Sequence, residues 1–99
     1  MEARAWSSGQ GNFGISVGAQ NRDQYFDRAW TEIEVEIDGR PYHIGITPGF
    51  WNKCPELRDS GNTVIRDWLH RQGVLEWPRG HPPRFELVAL GGNRFRLEA

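Results

Sequence analysis

The sequence predicts an α+β domain whose mainly antiparallel sheet of about five strands, two hairpins plus an N-terminal strand, carries short helices packed on one face. Three observations predict it. From Thr31 to Thr47, Ile33, Val35 and Ile37 alternate with Glu32, Glu34 and Glu36, and Asp38 and Gly39 then supply the positive φ angles of a two-residue type I′ turn. From Phe85 to Leu97, a second alternating pair of segments is joined across Gly91, Gly92 and Asn93. Between them, Val64, Ile65, Trp68 and Leu69 fall at helical spacing.

Taken in chain order, residues 1–12 (MEARAWSSGQGN) are small, polar and Gly-containing, and are expected to form a flexible arm ahead of a single domain over residues 13–99. Phe13, Ile15 and Val17 alternate with Gly14, Ser16 and Gly18, the pattern of a strand with one nearly bare face, which suits close approach by another backbone. Asn21 followed by Gln24 reads as a helix start, with Tyr25, Phe26, Ala29 and Trp30 at helical spacing. In the first hairpin a two-residue loop pairs Ile37 with Arg40, Val35 with Tyr42 and Ile33 with Ile44. The aliphatic side chains then share one face, while Glu34 meets His43 and Glu36 meets Pro41 on the other.

Thr47-Pro48 opens a short helical turn, and Pro55 is expected to start another after breaking the first. Asp59, Ser60, Gly61 and Asn62 interrupt the chain before a better helix over Thr63 to Gln72, which Gly73 ends in a left-handed conformation. Trp77 to Pro83 (WPRGHPP) is an extended, Pro-stiffened arm. The order is β-α-β-β-α-α-β-β. The expected core is Ile33, Val35, Ile44, Ile46, Phe50, Trp51, Trp68, Leu69, Phe85 and Leu87. A strongly bent sheet or partial barrel is the alternative architecture.

Composition restricts the function classes. The chain has 99 residues, is 37% hydrophobic and 12% aromatic, and carries a formal net charge of -1, so no global field attracts nucleic acid or an anionic membrane. The first half is acidic and the second basic, and every cation except Lys53 is Arg. No apolar run has the length of a membrane span, and a single Cys excludes an internal disulfide, so a cytoplasmic location is expected. One Cys and three scattered His lack the spacing of a metal site, and the Gly residues do not form a phosphate or dinucleotide loop; no cofactor is expected.

Cys54 beside Lys53 is the one candidate nucleophile, with His43, His70 and His81 as the available bases, set against a plain role as a small apolar residue between Trp51 and Leu57. Aromatic and Arg residues interleave in the second half, a pattern that fits nucleic-acid binding. The reading preferred from the residues is a non-enzymatic binding or assembly module that acts through a protein partner or self-association. Its surface comprises Trp77, Arg79, His81 and Arg84 on the arm with Arg66, His70 and Arg71 on the exposed helix face. Nucleic-acid binding and a Cys/His enzyme are the alternatives.

Overall fold

The computed structural model describes residues 1–59 and 62–99. Seven strands, β1 (Glu2–Ser7), β2 (Phe13–Ser16), β3 (Glu32–Ile37), β4 (Arg40–Gly45), β5 (Glu56–Arg58), β6 (Arg84–Gly91) and β7 (Arg94–Glu98), form one sheet in the order β4-β3-β7-β6-β1-β2-β5. Two helices, α1 (Ala19–Tyr25) and α2 (Val64–Arg71), and a 3₁₀ turn (Pro48–Trp51) complete the α+β architecture. Among the described residues no helix is long and apolar enough to cross a membrane.

The β3–β4 hairpin has the register that its sequence dictates. Ile37 pairs with Arg40, Val35 with Tyr42 and Ile33 with Ile44, and the turn takes φ 52° at Asp38 and 80° at Gly39. The α2 helix also forms where its apolar spacing places it, and Gly73 follows at φ 73°.

Four expectations are corrected. The segment expected to be a flexible arm contains β1, an interior strand between β6 and β2 whose Ala3 and Ala5 are buried. The helical piece expected from Pro55 is instead β5, whose Leu57 pairs with Ile15 of β2. Asn21 does not start the first helix; it lies inside α1, and its side-chain amide donates to Glu2 O (3.1 Å) and Val17 O (3.0 Å), while Phe26 and Trp30 pack from the following loop. The sheet has seven strands and not about five, and β3 pairs with β7 in parallel, Glu34 against Arg94 and Glu36 against Arg96. Part of the break expected over Asp59 to Asn62, at Ser60 and Gly61, lies outside the described residues.

The helices do not lie across one flat face, because the sheet is strongly curled. Ile44 of β4 and Leu57 of β5, from opposite ends of the strand order, line the same residual space of about 10 Å³ at the centre of the core. The Cα atoms of β4 and β5 approach within 8 Å. The architecture is therefore an almost closed barrel whose inward positions are filled by side chains. One end is plugged by Ile65, Trp68 and Leu69 of α2, with Trp68 edge-on to Phe85 at 4.7 Å. The opposite end is plugged by aromatic rings: Phe26 stacks on Phe95 at 4.9 Å and tilts against Phe50 at 5.0 Å. Of the expected core, only Ile46 and Trp51 are half-buried rather than buried.

On the outside, the parallel β3–β7 pairing converts the glutamate row of β3 into a ladder of opposite charges. Arg94 Nε sits 3.0 Å from Glu34 and Arg96 Nε 3.4 Å from Glu36. With Glu34 engaged, His43 reaches diagonally to Glu32 at 2.9 Å instead of to the residue directly opposite it.

Candidate functional site

The two surfaces singled out in the sequence both lie at the α2 end of the barrel. Arg66, His70 and Arg71 occupy the exposed face of α2, as the helical period requires, because Ile65, Trp68 and Leu69 take the buried face. Two of the three are held by carboxylates. Arg71 reaches Asp38 at the β3–β4 turn through Nη2 (2.9 Å) and Nε (3.2 Å), tying the end of α2 to the hairpin, and Arg66 lies 3.8 Å from Asp67. Arg84 starts β6 and pairs with Glu2 across the β1–β6 register at 3.1 Å.

The arm is anchored at both ends. Val74 N–H donates to Leu69 O at 3.0 Å, closing α2, and Ala5 N–H donates to Pro83 O at 2.9 Å, which lays the last prolines beside β1 as a continuation of β6. Between these anchors His81 N–H bonds to Pro78 O at 2.9 Å in a turn with Gly80 at φ 81°. Trp77 is half-buried against the core. Together with Leu75, Glu76, Ser7 and Gly9 it lines an open groove of about 440 Å³ between the arm and the β1–β2 loop. Arg79 and His81, further along the arm and not part of the groove lining, are exposed, and neither has an ion-pair partner among the described residues.

Asp59 positions α2. Its carboxylate accepts from the N–H groups of Ile65 (2.8 Å) and Arg66 (3.0 Å), capping the first turn from outside the helix in place of Thr63, which makes no cap bond. Burial holds the Asp59 carboxyl above the ordinary value of 3.8, with a further push from Asp67, against the downward pull of the Arg66 and Ile65 amides.

Three cation–aromatic contacts, at two places, escaped the sequence reading. On the outer face the row Trp6, Gly14, Arg58 crosses β1, β2 and β5, and the Arg58 guanidinium lies 4.4 Å from the Trp6 ring centre. The bare face of β2 was the signal for this close approach: a Cβ on Gly14 would stand 2.5 Å from Leu57 O. At the aromatic end, Arg28 (4.6 Å) and Arg22 (5.6 Å) both lie over Trp51, whose buried Nε1 has no hydrogen-bond partner among the described residues. Arg22 is itself buried and donates through Nη1 to Phe50 O (3.1 Å) and Asn52 O (3.2 Å), so it braces the 3₁₀ turn.

Cys54 is half-buried beside that turn, its N–H bonded to Gly49 O at 3.0 Å. His70 and His81 belong to segments at the opposite end of the barrel, and His43 is engaged with Glu32. The structure therefore brings no imidazole to Cys54 among the contacts it defines. Among the described residues no three or more His, Cys, Asp or Glu side chains converge as metal ligands. No protein-family model, curated protein or solved structure matches the chain.

Proposed function

We propose that the chain is a non-enzymatic binding module that engages another protein, a second copy of itself included, through the arm from Trp77 to Arg84 and the groove beside it. One observation carries this reading: the arm is fixed at Leu69 and at Ala5, and between those anchors it lines an open groove with half-buried Trp77 and Leu75 and exposes Arg79 and His81, which have no ion-pair partner among the described residues. A segment already ordered in the free protein loses little entropy on docking. Trp and Arg are the side chains most enriched where a few residues dominate an interface. A ligand inside the barrel is disfavoured, since the residual space of about 10 Å³ is at the limit for one water.

Nucleic-acid binding draws less support. Arg66, Arg71, Arg84, Arg94 and Arg96 each have a carboxylate within 4.0 Å, which would have to be displaced before a phosphate could take its place. A Cys/His enzyme draws less still, because the thiol and the two free histidines lie at opposite ends.

Light scattering over a range of concentrations, with a photo-crosslinking side chain at position 79, tests the proposal. The expected result is either a dimer that Arg79→Glu returns to monomer mass or a discrete protein adduct formed from position 79. A monomer with no adduct, coupled to a salt-dependent mobility shift of single-stranded or duplex nucleic acid, overturns it.

A further inference from the structure

The ends of the sheet face one another without a ladder, and the register shows which backbone groups are left over. Ile46 N–H donates to Thr31 O at 2.9 Å, so by antiparallel alternation Arg40, Tyr42 and Ile44 turn their backbone groups to β3, and Pro41, His43 and Gly45 turn theirs outward. On β5, the flanking Pro55 O and Asp59 N–H bond to Val17 and Phe13, so Leu57 faces β2 while Glu56 and Arg58 face β4. Glu56 N–H is used locally, on Cys54 O at 2.7 Å. The groups of His43, Gly45 and Arg58 therefore line the opening in an almost continuous row, and no backbone hydrogen bond joins β4 to β5 among the described residues. Pro41, which has no donor to lose, already sits at one of these outward positions.

We infer that this opening accepts an extended peptide strand from a partner protein, seated on the outward edge of β4. A strand is the chemistry that satisfies alternating N–H and C=O groups at this spacing. A slot of about 160 Å³ between the two strands is lined by His43, Ile44 and Gly45 on one side and by Arg58, Asp59 and Val64 on the other. The occupant's inward side chains must then be small and apolar to meet Ile44 and Leu57, and its outward ones uncharged and polar, since His43 and Arg58 are already paired with Glu32 and Glu56 and Asp59 lines the same slot. Neighbouring strands lie about 4.8 Å apart, so a strand between two edges needs about 9.6 Å. Because Cα atoms of β4 and β5 already lie within 8 Å of one another, the two edges must separate by at least roughly 2 Å to admit it. This site is distinct from the arm and stands or falls separately from it.

The test uses the full chain and a capped six-residue peptide alternating valine and threonine, with amide hydrogen exchange as the readout. The amides of His43, Gly45 and Arg58 exchange unprotected in the free chain and slow at least about tenfold when the peptide binds. Gly45→Pro removes one outward donor, as Pro41 does naturally, and weakens binding by roughly tenfold with little change in melting temperature. If Gly45→Pro unfolds the chain, the same peptide N-methylated at alternate amides replaces it, and its failure to bind is the supporting result. Protection of those three amides in the free chain, at any protein concentration, overturns the inference. So does absence of peptide binding at millimolar concentration, or equal binding by the N-methylated peptide.

Discussion

Replacing Gly14 by Ala adds one methyl group to the outer face of β2, where it stands 2.5 Å from Leu57 O and 3.1 Å from Arg58 Cα. Ordinary contact begins near 3.4 Å and both obstacles are backbone, so β2 and β5 must part by about 1 Å. Their ladder is short, Gly14 to Arg58, Ile15 to Leu57 and Ser16 to Glu56, and has little reserve. Strain of about 1–3 kcal/mol from overpacking, with weakening of one or two backbone hydrogen bonds at about 1 kcal/mol each, gives a loss of about 2–5 kcal/mol. Gly45→Ala on β4 is the control, since a Cβ there meets nothing within 4 Å and the backbone is not left-handed. That change is expected to be neutral or to stabilise by about 0.4–1 kcal/mol through the unfolded chain. Urea unfolding reads both: with a slope of about 1–2 kcal/mol per molar, Gly14→Ala lowers the midpoint by about 1–5 M and Gly45→Ala leaves it level or slightly raised. An unchanged midpoint for Gly14→Ala, or a larger loss for Gly45→Ala, refutes the β2–β5 packing.

Phe50→Ala removes a fully buried ring from the aromatic plug and is expected to cost about 3–5 kcal/mol by denaturant unfolding, whereas a loss below about 1 kcal/mol would mean that the end is not plugged. Arg22→Met keeps the stem but strands the carbonyls of Phe50 and Asn52, an expected loss of about 2–4 kcal/mol; an unaffected midpoint contradicts the bracing role. Arg71→Ala breaks an exposed pair with Asp38 and should change stability by less than about 1 kcal/mol. Asp59 holds its proton more tightly folded than unfolded, so its contribution favours the folded state below 3.8 and is lost as pH rises through the raised value. The stability of the native protein relative to Asp59→Asn should accordingly fall as pH rises across that window, and a relative gain would contradict burial as the dominant influence.

Legibility followed the range of the interactions. The β3–β4 hairpin was readable because the Asp38-Gly39 turn and the Ile33-Val35-Ile37 alternation are local and agree on one register. The α2 helix was readable from its own apolar spacing. The strand β1 was not, because its inward side chains are Ala3 and Ala5, too small to make an apolar alternation beside the large core residues. The β3–β7 pairing was hidden because Glu34 and Arg94 are far apart in sequence and a parallel contact leaves no turn signature. Pro55 resembled a helix start but precedes a three-residue strand, and it is the Val17 N–H donating to its carbonyl that sets that choice. The candidate surface was visible as exposed residue types on α2 and the arm. Its electrostatics were not, since Asp38 from the β3–β4 turn and Glu2 from β1 come from far away in sequence to neutralise Arg71 and Arg84.

Residue-resolved amide hydrogen exchange on the free chain tests the central claim, a filled and almost closed barrel whose proposed binding surfaces lie at its outer seam and arm. The account predicts protection close to the global unfolding limit at Ala5 and Leu87, whose N–H groups bond to Pro83 and Met1, with His43, Gly45 and Arg58 exchanging freely. Rapid exchange at Ala5, or strong protection at His43, Gly45 and Arg58, would contradict it.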